Sequence, residues 1–176
     1  MNQAPHDLDL ICYFAGSPSR VYGWTRTIVH DIETEDTFQA SLEWDSGTLG
    51  TIHVSTAEAG QDQRFEIIGT KGHLSIMPGS LTFKEFDTPV DEFIRTSDKG
   101  FAAPSLVEAD VDISGEGGNH AAIYRDLYSA IVNGTPLIAP GVNGIRGLEL
   151  ANAINYSSYS KAAVEFPLDR QKYAEL

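Results

Sequence analysis

Basic residues are scarce in this chain of 176 residues: 12 Lys and Arg stand against 25 Asp and Glu, a formal net charge of −13. A surface of that sign repels phosphate backbones and anionic headgroups, so neither nucleic acid nor a membrane surface is an expected partner. The acidity serves solubility and is not itself a functional clue. Cysteine is nearly missing as well. Cys12 is the single thiol, which excludes an intrachain disulfide and a cysteine-based metal site. Within Leu10-Ile11-Cys12-Tyr13-Phe14 it reads as a small buried hydrophobe. No apolar run approaches the roughly eighteen residues of a membrane span, and no basic segment followed by a hydrophobic signal region opens the sequence. Cytoplasmic is the default compartment.

What is present suffices for a folded domain. Hydrophobic residues make up 41% and charged residues 21%, enough apolar material for a core without disordered bias. The length suits one domain over residues 1–176. Pro5 suits a first helical position, Leu8, Ile11, Cys12 and Ala15 recur at helical spacing, and Gly16 is placed to end that helix. From Arg20 the period changes to two. Phe38, Ala40, Leu42 and Trp44 alternate with polar residues, Asp45-Ser46-Gly47 makes a turn, and Gly50, Ile52 and Val54 read as the returning arm of a hairpin.

The same pattern recurs at Phe65–Ile68, Leu74–Ile76 and Leu81–Phe83, separated by Gly69–Gly72 and Pro78-Gly79, which makes the middle of the chain an antiparallel meander. Residues 87–118 read as an excursion loop, with a further strand at Val107, Ala109, Val111 and Ile113. Asn119 is placed to cap a helix that runs to Asn133-Gly134, and Asn143 to cap a last helix before a short strand, Val164–Leu168. Strands followed by helices give an α+β class: a largely antiparallel open sheet with helices packed on one face.

The segment Asn2-Gln3-Ala4-Pro5-His6-Asp7-Leu8-Asp9-Leu10 gathers an imidazole and two carboxylates at a helix start. Three readings compete. Asp7 can simply complement the helix dipole beside an ordinary histidine. His6 and Asp9 can be two metal ligands, although no HExxH or cysteine supports them. His6 can exchange a proton with a substrate hydroxyl, because imidazole titrates near neutrality.

Read together with the Asp45-Ser46-Gly47 hairpin, FEIIGTKGHLSI at 65–76, NHAAIYRDLYSAIVNGTP at 119–136 and NGIRGLELANAINYSSYS at 143–160, the NQAPHDLDL string resembles the C-terminal domain of the Gfo/Idh/MocA oxidoreductases. That resemblance runs in order over nearly the whole chain. It implies the substrate-binding half of an NAD- or NADP-dependent enzyme acting on a sugar, polyol or similar hydroxylated molecule. It also implies a preceding Rossmann domain holding the cofactor and a catalytic lysine. No glycine turn of that kind occurs here, since Gly115, Gly117 and Gly118 follow no strand-to-helix phosphate turn. The chain alone is therefore expected to be inert and to lack a cofactor site.

By position His6 matches the family histidine that meets the substrate hydroxyl. Asn2 falls where a catalytic aspartate often stands, and an amide can orient a substrate there but cannot take its proton. His120 matches a recurrent family histidine, yet its place on an apolar face favours packing. Tyr124, Tyr128, Tyr156 and Tyr159 read as core or interface residues, and Lys71 as a turn residue. Self-association is expected through the sheet face away from the helices. Asn2 keeps open a second reading, a non-catalytic sensor or assembly module of the same fold. The family's glycosidase branch is a third, although its His-Gly-Pro type segment is not seen.

Overall fold

The computed structural model describes residues 4–60, 62–112 and 118–176, and it divides into two units. The first unit takes residues up to Ala59 and from Tyr124 onward. Its helix α1 (Pro5–Ala15) begins and ends where the sequence places it: Pro5 opens it, and Gly16, at φ 76°, closes it by donating to the Cys12 carbonyl. Strands β1 (Arg20–Arg26), β2 (Thr37–Glu43), β3 (Leu49–Ser55) and β8 (Val164–Glu165) form an antiparallel sheet in the order β3-β2-β1-β8. The β2–β3 turn needs Gly47 because its φ of 84° is a left-handed conformation that a side chain resists.

Helix α4 (Gly144–Ser160) lies on β1, and α1 packs on α4. Val21, Phe38, Ala40, Leu42 and Ile52 from the sheet join Leu8 and Cys12 of α1 and Leu150, Ala153 and Ile154 of α4 in one buried core. The alternation seen in the sequence thus reflects a sheet with one covered face. Two details fix how close α4 comes. A Cβ on Gly23 would lie 2.8 Å from Ile154 Cγ2 and 3.0 Å from its carbonyl oxygen, so only glycine allows this approach. Beyond the short β8, the β1 amides turn to the helix. Gly23 N–H donates to Ser157 Oγ at 2.9 Å, and Thr25 N–H donates to Ser158 Oγ at 2.9 Å. Ser157 Oγ in turn donates to the Ala162 carbonyl at 2.6 Å.

The second unit, residues 60–123, holds β4 (Phe65–Ile68), β5 (Gly72–Met77), β6 (Ser80–Phe86) and β7 (Leu106–Ala109) as a separate antiparallel sheet in that order. Its register sets Phe65 opposite Ile76, Ile67 opposite Leu74, Leu74 opposite Phe83 and Ile76 opposite Leu81, so one face is apolar. None of its described residues is fully buried. A short helix α2 (Val90–Thr96) stands where the sequence suggested only loop, started by the Val90 amide on the Thr70 carbonyl at 2.8 Å.

The α+β class and the antiparallel pairing hold, with four-stranded sheets in both units. Other expectations are corrected. The strand near 107 stops at Ala109, and Ile113 lies outside the described residues. Asn143 makes no side-chain cap; a 3₁₀ turn over Gly141–Asn143 leads directly into α4. The last strand ends at Glu165, and Asp169 caps an unanticipated helix α5 (Arg170–Ala174).

Helix α3 (His120–Asn133) is capped as expected by Asn119, whose Oδ1 accepts from Ala122 N–H at 3.0 Å. Its apolar face does not pack: Ile123, Tyr124, Tyr128 and Ile131 are 65–74% exposed. His120 is exposed too, which overturns its reading as a packed histidine. Periodicity shows that a helix has an apolar face, but not that anything covers it.

Replacing Gly23 with Ala should cost about 1–3 kcal/mol, because the added methyl must displace α4 or Ile154. Ser157→Ala should cost about 1–3 kcal/mol by orphaning a buried amide. Urea unfolding measures both; losses below about 0.5 kcal/mol would show that the α4 contact yields freely.

Candidate functional site

His6 sits in the first turn of α1, exposed to solvent, and has no hydrogen-bond or ion-pair partner among the described residues. Its turn is held from the inner side. Ala4 and Leu8 are 1% exposed, and the Leu8 amide donates to the Ala4 carbonyl at 3.0 Å. His6, Leu10 and Tyr13 follow one another at i, i+4 and i+7 on the outward face, while Leu8 and Cys12 face the core. Asp7 is in the first turn, where a carboxylate complements the helix dipole. Asn2 lies outside the described residues, so its relation to His6 is not defined by the structure.

Among the described residues no group of three or more His, Cys, Asp or Glu stands close enough to hold a metal ion. Asp9 is exposed and adds to the electrostatic environment of Cys12. Burial, followed by the Asp9 charge, pushes the Cys12 thiol up to about 11, so it stays a neutral core group. Lys71 occupies the β4–β5 turn, as its glycine flanks suggest. Tyr156 is partly buried against the core and stands edge-on to Tyr173 at 6.3 Å, whereas Tyr124, Tyr128 and Tyr159 are exposed by 66–73%, which removes the core alternative for those three and leaves the interface one.

One electrostatic arrangement in the first unit is not disclosed by the sequence. Asp36, 5% exposed, closes the loop between β1 and β2 by accepting three successive amides. Ile28 N–H reaches one oxygen at 2.9 Å, while Val29 and His30 reach the other at 2.9 and 3.1 Å. The Thr37 hydroxyl and the His30 ring complete the set. The Val29 amide is the largest influence holding this carboxyl far below the usual range; burial opposes it, and the His30 and Ile28 amides reinforce it. One Asp amid acidic loop residues gives no sign of this in sequence. The arrangement shapes a loop and leaves no free acid or base.

Among the described residues of the first unit nothing covers the outer face of its sheet. It presents Tyr22 and Trp24, with ring centroids 4.7 Å apart, beside Gln39, Ser41, Thr51 and His53 in paired register. Fold and site together define an open-faced antiparallel α+β domain that offers a histidine from the helical side. Residues 1–75 match the sequence model of the GFO/IDH/MocA C-terminal domain.

Solved structures extend the likeness over the rest of the chain. The WlbA dehydrogenase of Chromobacterium violaceum, in complex with NADH and UDP-GlcNAcA, is 28% identical with a TM-score of 0.72, covering 96% of this chain and 46% of that one. WlbA from Bordetella pertussis, in complex with the same two ligands, gives 25%, 0.71, 96% and 46%. Levoglucosan dehydrogenase in complex with NADH, at 17% identity and a TM-score of 0.70 over 95% of this chain and 50% of that one, shares the fold. No curated protein matches. Over residues 1–75 the chain is similar to the Gfo/Idh/MocA C-terminal domain, and it spans about half the length of these solved relatives.

Acidification tests the Asp36 arrangement. Because the folded carboxyl is held below its unfolded value near 4, its stabilisation is complete above that value and is lost as pH falls toward the folded one. Urea midpoints should drop below about pH 4, and Asp36→Asn should lower stability at neutral pH while flattening that acid limb. Parallel pH profiles for the two proteins would contradict the assignment.

Proposed function

We propose that this chain is the substrate-binding half of an NAD(P)-dependent oxidoreductase acting on a sugar, polyol or related hydroxylated small molecule, with His6 managing the hydroxyl proton. The observation that carries the reading is His6 itself: an exposed imidazole, without a partner among the described residues, on a buried-backed helix turn inside the segment that matches the family model. The WlbA relatives, solved with NADH and a nucleotide sugar, support the substrate class and the cofactor.

The dinucleotide would be held outside this chain. A pyrophosphate needs a glycine-rich turn between a strand and a helix N-terminus. The helix starts here are Ala4, Pro89, Asn119, the Gly141–Asn143 turn and Asp169, none of that kind. A nucleotide-binding half, in the same polypeptide or another, would hold NAD or NADP, and this chain alone would be inert.

What the chain contributes is binding, orientation and a proton acceptor. When a substrate alcohol is oxidised its O–H proton must leave, and a histidine within hydrogen-bond reach can take it on a ring nitrogen. Asn2 would orient the same hydroxyl through its amide without exchanging a proton. The same amide in place of a carboxylate favours the second reading, a sensor or assembly module that binds such a ligand without turnover.

The uncovered face around Tyr22 and Trp24 would serve self-association of the chain. Light scattering should therefore give a dimer or larger assembly, and Trp24→Asp should shift it toward monomer. A monomer at high concentration would contradict this surface assignment.

In the assembled oxidoreductase, His6→Ala should lower kcat by about a hundred- to ten-thousand-fold, the usual worth of a positioned acid or base. Steady-state kinetics with and without the substitution decides. Unchanged kcat would leave the non-catalytic module as the better reading.

A further inference from the structure

We infer that the cleft at the C-terminal end of α1 is a binding site for a small organic cation, a primary ammonium carried on a short apolar body. The cleft, about 500 Å³, lies wholly within the first unit and gathers three stretches of chain with Glu149 of α4. Trp44, Phe166, Pro18 and Pro167 give it apolar walls; Asp45 and Glu149 give it charge. No lysine, arginine or histidine lines it.

The charged side chains of the lining are both acceptors, Asp45 and Glu149, which favours a ligand that donates. The Trp44 indole N–H is already spent on the Gly16 carbonyl at 3.0 Å, and the Ser19 hydroxyl on the Glu43 carbonyl at 3.1 Å. Ser46 Oγ donates to Thr48 at 2.9 Å. One Glu149 oxygen accepts from the Leu168 amide at 3.2 Å, which fixes the carboxylate and leaves its other oxygen available. Among the described residues the Asp45 carboxylate and the Ser17 hydroxyl have no hydrogen-bond partner. The charge on the lining is wholly negative, and with the aromatic and proline surface beside it this suits an ammonium group with a methylene body.

Helix polarity favours the same ligand. The cleft touches Ala15 and Ser17, at the end of α1 where the macrodipole is negative, and the last turn holds no basic side chain. Trp44 is held in place on a second side, since a Cβ at Gly50 would lie 2.9 Å from its ring. This cleft is separate from the proposed proton site: His6 and Ala15 lie nine residues apart, about 14 Å along the helix. The cation site therefore stands or falls independently of the oxidoreductase reading.

Titration of the full chain with 1,4-diaminobutane at 150 mM NaCl, followed by amide chemical shifts, tests it. Saturable shifts should cluster at Ser17, Ser19, Asp45, Ser46 and Phe166, and sodium acetate should produce none. The double variant Asp45→Asn, Glu149→Gln should weaken binding at least tenfold. Gln keeps a carbonyl for the Leu168 amide; if the double variant nevertheless melts early, Asp45→Asn alone, at an exposed turn, should still weaken binding severalfold. Shifts that are absent, or that spread over the acidic surface equally in wild type and variants, would overturn the site.

Discussion

The seat of α4 on β1 is the contact on which the first unit depends. It is possible because position 23 has no side chain: any Cβ there would lie inside contact distance of Ile154. At that separation Ser157 and Ser158 reach the β1 amides that β8 is too short to pair. The helix thus does two things at once. It covers the apolar face of the sheet, and it satisfies backbone donors at an edge where an unpaired amide would carry a desolvation cost.

Helix α1 inherits its position from that seat. It packs on α4 rather than on the sheet, with Leu8 and Cys12 turned to the core and Gly147 of α4 beside Asp9, close enough that a Cβ would lie 3.5 Å from its amide. His6 is then presented outward by a turn whose inner residues are immobilised. A side chain held by its backbone but uncommitted in its own hydrogen bonds is what proton exchange with a ligand requires. Two other ionisable groups serve the fold: Asp36 ties down a loop, and Cys12 is a buried thiol.

Much of this was legible in the sequence where a local rule decides the outcome. Strand β2 was readable because its even positions are apolar and its odd ones polar; the turn that follows was readable because Gly47 accepts a left-handed φ. Asn119 announced α3 by its capping oxygen. What escaped depends on partners distant in the chain. Neither Gly23 nor the paired serines signal their meeting, which spans more than 130 residues. Helix α2 is anchored by the Thr70 carbonyl, and Asn143 was displaced as a cap by a 3₁₀ turn. His120 is not packed and the α3 tyrosines are not core, which leaves the tyrosines their interface alternative, because amphipathicity records a face and not its cover. His6 was located correctly on its helix, while Asn2 lies outside the described residues.

Helix α1 is held from within, and on the proposed reading His6 serves a ligand rather than the fold. The unfolding free energy of His6→Ala measures this directly. A side chain that is exposed and has no partner among the described residues predicts a value within about 0.5 kcal/mol of the parent chain. A loss beyond about 1 kcal/mol would make His6 a structural residue and contradict the account.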